Sequence, residues 1–117
     1  MRVQSYRDLR VWNIAVELTL EVYRITDSFP SSERFGLTSQ LRRAVVSVVS
    51  NIAEGHARSS RGEYSNFVSL ARGSVVEVEV QLFLAEQLGY VQSTMLIKAR
   101  DYCNAISRML TNLKRAL

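Results

Sequence analysis

The chain of 117 residues contains one cysteine, one histidine and one proline, and these scarcities exclude several kinds of site. Cys103 has no partner for a disulfide within the chain and falls in an apolar repeat, so we expect a buried thiol in a reducing compartment. His56 stands alone, and no cluster of histidine, cysteine and carboxylate residues has the spacing of metal ligands. The Glu-x-x-His pairs of di-iron bundles are missing as well. We therefore expect no bound metal.

Motifs for nucleotide binding and for catalysis are also missing. There is neither a P-loop nor a glycine-rich dinucleotide motif. Glu54 and His56 lie two residues apart, so they point to different sides of a helix and do not form an acid–base pair. The sequence predicts a protein that is not an enzyme and uses no cofactor.

Long apolar runs are absent too. No stretch reaches the roughly 18 apolar residues of a membrane span, and the start of the chain has no charged segment followed by an apolar run and a cleavage site. We expect a cytoplasmic protein without a membrane partner.

What the chain does contain is apolar residues at every third or fourth position, which predicts helices. The first helix spans about residues 7–26, with Trp12 and Tyr23 assigned to packing. Pro30 ends this pattern. The second helix starts between positions 32 and 38 and runs to about Arg58.

Two further helices follow. Ser60 and Glu63 have the spacing of a capping box, so the third helix begins near Arg61. Leu88-Gly89-Tyr90 reads as its end, and Ser93 or Thr94 can cap the fourth helix. Both helices carry apolar seams at alternating three- and four-residue spacing: Val68, Ala71, Val75, Val78, Leu82 and Ala85 in the third, and Leu96, Ala99, Cys103, Ile106, Leu110, Leu113 and Leu117 in the fourth. The small Gly73 and Ser74 would let another helix come close.

These elements predict a single all-α domain over residues 1–117. Four helices of about 20 residues joined by short connections favour an antiparallel up-down-up-down four-helix bundle. Residues 40–55 are apolar on most sides, more than one small bundle can cover, which indicates assembly into a homo-oligomer. The polar residues on this second helix need partners: Glu54 can pair with Arg58 or with an arginine of another helix, and Asn51 can fix the register between subunits.

Charge gathers at one end of such a bundle. The net charge is +4, and only two of the fifteen cationic residues are lysines. Seven cations share the end formed by the start of the first helix, the second connection and the C-terminus: Arg2, Arg7, Arg10, Arg58, Arg61, Lys114 and Arg115. Asp8, Glu54 and Glu63 oppose them, which leaves a local balance of about +4. The opposite end is expected to be near neutral or slightly acidic. Basic surface of this kind fits phosphate, although cations at helix C-termini also complement the helix dipole.

The segments LTSQLRRAVVSVVSNIAEG, FPSSERFG and SLARGSVVEVEVQLFLAEQLGY resemble the bacterial 23S rRNA intervening-sequence protein family, also called four helix bundle proteins. The resemblance covers nearly the whole chain, from YRDLRVW to ISRMLTNL. It implies a homopentamer, and similar proteins act as accessory subunits of diversity-generating retroelements, beside a reverse transcriptase and nucleic acid. The motif positions carried over, as a family signature or an oligomer interface, are Gln40, Arg42, Arg43, Asn51, Glu54 and Gly55.

One departure from the family pattern is Val49, which stands where many members have a proline. Because proline would kink the helix, we expect a straighter second helix here. Functionally, the sequence favours a non-enzymatic oligomer that associates with RNA, or with a nucleoprotein such as a reverse transcriptase, through arginine-rich surface. The alternatives are a protein-interaction scaffold without affinity for nucleic acid, and a small-molecule site within the bundle or along an oligomer axis.

Overall fold

The structure, a computed structural model, describes residues 5–117. It contains four α-helices: α1 (Arg10–Thr26), α2 (Leu37–His56), α3 (Arg61–Gln87) and α4 (Ile97–Ala116). Short 3-10 turns at Tyr6–Asp8, Ser31–Glu33 and Ser93–Leu96 precede α1, α2 and α4. No strand occurs in this part of the chain, and the predicted all-α class is confirmed.

Consecutive helices lie side by side, and α4 returns against α1 to close the bundle. The direction alternates from helix to helix. Lys114 in the last turn of α4 donates to the Ser65 hydroxyl at the start of α3, 2.8 Å away. At the other end, Arg100 near the start of α4 donates to Glu86 in the last turns of α3, at 2.7 Å. The result is an elongated antiparallel bundle with extents of 43 × 24 × 20 Å.

The core consists of the predicted apolar stripes of all four helices. The residues of both predicted seams on α3 and α4 are buried as far as Leu110, and Leu113 and Leu117 pack against the core with partial exposure. Trp12 is also packed against the core. The assignment of Tyr23 to the core is wrong: its side chain is 41% exposed, and the Arg42 guanidinium lies 4.5 Å from its ring centroid. The apolar stripe of α1 is therefore narrower than the sequence indicated.

The second helix runs without interruption from Leu37 to His56. A residue with a free N–H at position 49 keeps the helical hydrogen bond that proline removes, and the straightness expected from Val49 stays a prediction.

The predicted start of α3 is confirmed. The Ser60 hydroxyl accepts a hydrogen bond from the Glu63 amide at 3.1 Å, which caps the helix. The Glu63 carboxylate then accepts from the same hydroxyl, also at 3.1 Å, instead of from the backbone of Ser60. The capping box is thus only half formed.

The end of α3 is the glycine cap that the sequence predicted. Gly89 takes a positive φ of 78°, a conformation open to glycine at little cost. The amide of Tyr90 donates to the carbonyl of Ala85 at 3.0 Å and the amide of Gly89 donates to that of Glu86 at 3.0 Å, which is the Schellman pattern.

The predicted cap of α4 is wrong. Ser93 and Thr94 lie in the 3-10 turn that precedes the helix, and neither forms a capping hydrogen bond. The Met95 amide instead donates to the Gln92 carbonyl at 2.9 Å. The chain therefore enters α4 two to three residues later than expected, at Ile97.

Candidate nucleic-acid interface

One end of the bundle gathers the cations that the sequence placed there. We call it the basic end and define it by six residues: Arg7, Arg10, Arg58, Arg61, Lys114 and Arg115. It is formed by the turn before α1, the α2–α3 connection and the last turn of α4. The seventh predicted cation, Arg2, lies outside the described residues.

Three arginines of the basic end, Arg10, Arg61 and Arg115, are exposed, and within residues 5–117 none of them forms an ion pair. Two of the three nearby carboxylates form hydrogen bonds elsewhere. Asp8 accepts from the Ser5 amide at 3.2 Å in the turn before α1, and Glu63 accepts from the Ser60 hydroxyl. These guanidinium groups are therefore available to an external anion.

Two more arginines of the basic end lie against aromatic rings. The Arg7 guanidinium is 5.7 Å from the centroid of Tyr6, and that of Arg58 is 4.7 Å from the centroid of Phe67. Stacking holds a guanidinium in place and leaves its N–H edge free for hydrogen bonds. The predicted pair between Glu54 and Arg58 is not formed among the described residues, because Arg58 turns towards α3 instead.

Lys114 is the exception at this end. Its ammonium donates to the hydroxyls of Ser65 at 2.8 Å and Ser69 at 2.6 Å, and it lies 3.4 Å from the carbonyl oxygen of Ser65. An ammonium has three donors, so these contacts occupy it. Its role is to tie the end of α4 to the start of α3.

The opposite end is close to neutral, one of the two balances that the sequence predicted. Its cations and carboxylates nearly cancel: Arg24, Arg34, Arg42, Arg43, Lys98 and Arg100 against Glu21, Asp27, Glu33, Glu86 and Asp101. Three of these carboxylates form ion pairs: Glu21 with Arg24, Asp27 with Arg42, and Glu86 with Arg100. The two ends therefore differ in charge and also in how their charges are paired.

Two residues of the family motif have roles within the chain itself. Gly55 is buried where α2 meets α3, and a Cβ placed on it would lie 2.8 Å from the Cβ of Phe67 and 3.2 Å from Cδ1 of Tyr64. Arg42 donates to the Thr26 hydroxyl at 2.9 Å and pairs with Asp27 at 3.3 Å, which joins α2 to the end of α1. Both residues hold helices together.

The remaining motif residues face outwards or the α2–α3 groove. Gln40, Arg43 and Glu54 are exposed. Asn51 donates to the carbonyl and the hydroxyl of Ser47, both at 2.9 Å, and the Ser47 hydroxyl lies 2.9 Å from that of Ser74 on α3. The side-chain amide of Asn51 is thus hydrogen-bonded within its own chain, and its role between subunits stays a prediction.

The outer face of α3 carries a second apolar seam, which the sequence indicated only in part. Its residues repeat at alternating intervals of four and three: Ser69, Gly73, Val76, Val80 and Phe83. We call these five residues the outer seam. All are exposed, and a Cβ on Gly73 would meet nothing within 4 Å. Leu70 and Leu84 widen the exposed apolar surface. The spacing of Val76, Val80 and Phe83 is the sequence signal for this seam, and it runs alongside the buried seam of the same helix.

Across residues 5–117, no group of three or more histidine, cysteine or carboxylate side chains is arranged to hold a metal ion. His56 contacts Tyr64, with Nδ1 and the phenolic oxygen 3.5 Å apart. None of the described helices combines the length and the apolar character required to cross a membrane.

Comparison with known proteins gives the chain a family. The sequence model of the family described as "23S rRNA-intervening sequence protein" matches residues 7–112. The fold is similar to a crystal structure of a protein of unknown function from the S23 ribosomal protein family of Bacteroides thetaiotaomicron VPI-5482. That similarity has a TM-score of 0.79 and 20% sequence identity, over 89% of this chain and 97% of the other. No curated protein matches the sequence. The family match spans nearly all of the bundle, and the chain belongs to the 23S rRNA-intervening sequence protein family.

Proposed function

We propose that this chain is a non-enzymatic, self-associating helical bundle that binds RNA, free or within a nucleoprotein such as one containing a reverse transcriptase, at its basic end. The observation that carries the proposal is the set of exposed arginines, Arg10, Arg61 and Arg115, that lack carboxylate partners among the described residues. The family description, which refers to 23S rRNA, supports RNA as the nucleic acid to test first.

The chemistry of the basic end fits a phosphate backbone better than bases. Guanidinium groups form bidentate hydrogen bonds to phosphate. The arginines of the basic end come from three separate segments of the chain instead of lying along one groove. Contacts of this kind position a protein on RNA without reading its sequence. We therefore expect a preference for folded RNA with closely spaced phosphates and little sequence specificity.

Self-association would multiply this surface. The outer seam of α3 has the heptad spacing of a helix–helix contact. Ser69 at its start is bonded to Lys114 of α4, whereas Gly73 would allow a second helix to approach closely. We propose that copies of the chain assemble through this seam, as the homopentamer that the family resemblance implies. A ring of parallel subunits would place all basic ends on one side.

The test is the salt dependence of RNA binding, measured by fluorescence anisotropy of a labelled, folded RNA. With Lys114 occupied, five cations remain, so the slope of log K against log salt should be about −4.5 per bound chain. The variant that combines Arg10→Gln and Arg61→Gln should weaken binding and reduce the magnitude of the slope by about 2.

The matched control combines Lys98→Gln and Arg108→Gln. It removes the same charge from exposed positions at the start and the middle of α4, and its slope should stay close to that of the parent. If the two double variants lose affinity equally, binding depends on net charge and not on the basic end. If the parent does not bind RNA even at low salt, the family fold serves as a protein-interaction scaffold and the proposal is wrong.

A further inference from the structure

A second surface suited to nucleic acid lies at the opposite end of the bundle, beside the start of α2. It is an open pocket of about 570 Å³, within the size range of sites that hold small ligands or single nucleotides. We call it the Phe35 pocket and define it by six of its lining residues: Tyr23, Arg34, Phe35, Thr38, Arg42 and Arg43. Neither the basic end nor the outer seam contributes to it.

Phe35 is the most exposed large apolar side chain of the described chain, at 90%. Its ring packs on no part of the core. The Arg34 guanidinium lies 5.5 Å from the ring centroid, so the ring stands in solvent with a cation beside it. A phenylalanine in this position gains nothing from folding, but it offers a flat apolar surface on which another ring can stack.

A second pair of arginine and aromatic ring forms the inner wall of the pocket. Arg42 lies 4.5 Å from the centroid of Tyr23 and is fixed there by its hydrogen bond to the Thr26 hydroxyl at 2.9 Å and its ion pair with Asp27 at 3.3 Å. The guanidinium plane is therefore held in one orientation before any ligand arrives. A preorganised planar group loses little entropy when a base stacks against it.

The pocket also carries positive charge that is not neutralised. Arg34 and Arg43 are exposed, and neither pairs with a carboxylate within residues 5–117. Asp27 is engaged by Arg42. Thr38 lies in the first turn of α2, but the Glu33 carboxylate already caps this helix end at the Leu37 amide, so the positive charge of the pocket comes from Arg34 and Arg43. Phosphate groups are the complement of this arrangement.

We propose that the Phe35 pocket binds single-stranded RNA, with a base stacked on Phe35 and the flanking phosphates held by Arg34 and Arg43. Alternating aromatic rings and arginines are the means by which proteins hold unpaired nucleotides, since every base has a face for stacking and every linkage has a charge. The site goes beyond the binding of folded RNA at the basic end: it would engage an unpaired segment at the other end of the bundle.

An acidic protein segment would satisfy the arginines equally well, but it would leave Phe35 without a flat partner. A second copy of this chain related by a two-fold axis would cover Phe35, but it would bring the same uncompensated arginines to the contact. Single-stranded RNA has bases that can stack on Phe35 and phosphates that can pair with the arginines.

The experiment measures binding of a labelled single-stranded RNA hexamer by anisotropy at several salt concentrations. Phe35→Ala should weaken binding by roughly five-fold or more, because one base loses its stacking partner, and Phe35→Tyr should restore it. Arg43→Gln should weaken binding and reduce the magnitude of the salt slope by about 0.7, the value for one phosphate contact on a single strand.

Two control variants separate this site from other effects. Ile97→Ala removes an exposed apolar side chain at the same end of the bundle, on α4, and should leave hexamer binding unchanged. The variant that combines Arg10→Gln and Arg61→Gln should also bind the hexamer as the parent does, while it loses folded RNA. Failure of the basic end and failure of the Phe35 pocket are thereby distinguishable.

Two results would overturn the proposal. One is a Phe35→Ala variant that binds the hexamer as tightly as the parent. The other is a Phe35→Ala variant whose mass by light scattering falls while hexamer binding per chain is unchanged, which would assign the Phe35 pocket to a contact between copies of the chain.

Discussion

Gly55 shows how a single residue sets the distance between two helices. The Cβ of an alanine at this position would come within 2.8 Å of Phe67, closer than packed carbon atoms approach. Overpacking costs about 1–3 kcal/mol, whereas alanine gains at most about 1 kcal/mol over glycine in a helix. We therefore expect Gly55→Ala to lower the free energy of unfolding by up to about 2 kcal/mol, as measured by urea denaturation.

Gly62 provides the control for this substitution. It lies in the first turn of α3, and a Cβ there would meet nothing within 4 Å. Gly62→Ala should be neutral or slightly stabilising, because only helix propensity changes. Equal effects of the two substitutions would show that contact with Phe67 does not require glycine. The sequence marked Gly55 as a motif residue, but its neighbour on α3 became visible only in three dimensions.

Cys103 illustrates the opposite situation, a residue whose environment the sequence predicted well. It is fully buried, and burial, with a smaller contribution from the Glu79 carboxylate, raises the pKa of its thiol to about 12. The thiolate is the reactive form, so at pH 8 we expect the folded protein to react with a thiol reagent roughly 1,000-fold more slowly than the unfolded chain.

The same shift has a consequence for stability. The pKa of the Cys103 thiol is higher in the folded than in the unfolded chain. The contribution of this thiol to the free energy of unfolding is therefore fully present below about pH 9 and is lost as the pH rises towards 12. Rapid labelling of Cys103 in the absence of denaturant would contradict its burial. Cys103→Ala provides the control for labelling at other groups.

At the scale of elements, Glu33 joins both long connections at one end of the bundle. One carboxylate oxygen accepts the Leu37 amide at 2.9 Å, which caps α2, and the other accepts the Tyr90 hydroxyl at 2.7 Å. The Tyr90 ring packs on Phe29 at 5.5 Å. The Leu37 amide first, and then the Tyr90 hydroxyl, lower the pKa of Glu33 from its usual value of 4.5.

The Glu33 carboxylate stabilises the fold at a pH above its pKa in the unfolded chain, about 4.5. This stabilisation is lost as the pH falls through its lower pKa in the folded chain. We expect Glu33→Gln to lower the Tm at pH 7 and to reduce the fall in Tm between about pH 5 and pH 3. Circular dichroism across this pH range measures both. Tyr90→Phe, which keeps the ring and removes one donor, should give a smaller change in the same direction, and a Tm profile of Glu33→Gln that parallels the parent would contradict this role.

The helices themselves were predictable from the sequence, whereas their ends were less so. Apolar spacing located the buried stripes because burial follows the period of the helix. The caps of α2 and α4 escaped prediction for a physical reason. Glu33 caps α2 from outside the helix, with Gly36 in between. Ser93 and Thr94 lie in a turn closed by the backbone hydrogen bond from Met95 to Gln92, and the Ser93 hydroxyl accepts from Arg100 instead of capping the helix. Tyr23 was misassigned because spacing does not show which edge of a stripe meets a neighbouring helix.

At the scale of the whole molecule, the bundle closes its core but leaves the outer seam uncovered. Val80 lies between Val76 and Phe83 in this seam and is 51% exposed. A carboxylate at this position would be solvated in the single chain but buried without a partner in an assembly, which is costly. We expect Val80→Glu to keep its helical circular dichroism spectrum and to fall in mass, by light scattering, from that of the proposed pentamer to that of the 13.3 kDa chain.

Leu20→Glu is the matched control, since Leu20 is an exposed leucine on α1, away from the seam. It should retain the mass of the parent. A parent protein that is monomeric at all concentrations would contradict assembly through α3. The sequence predicted self-association from the apolar sides of α2, whereas the most continuous exposed apolar row lies on α3, because only the packed structure shows which faces the neighbouring helices already cover.

The ring of Trp12 in α1 lies 5.0 Å from the ring of Tyr6. Tyr6 belongs to the turn that precedes α1 and carries Arg7. Its indole Nε1 is buried without an acceptor among the described residues, and the chain has no other tryptophan. The molecule thus carries a natural fluorophore at one end, whose emission wavelength depends on whether the Tyr6–Asp8 turn stays docked. Events at the basic end can be followed in the unlabelled protein, while events at the Phe35 pocket, on the far side of the bundle, leave that emission unchanged.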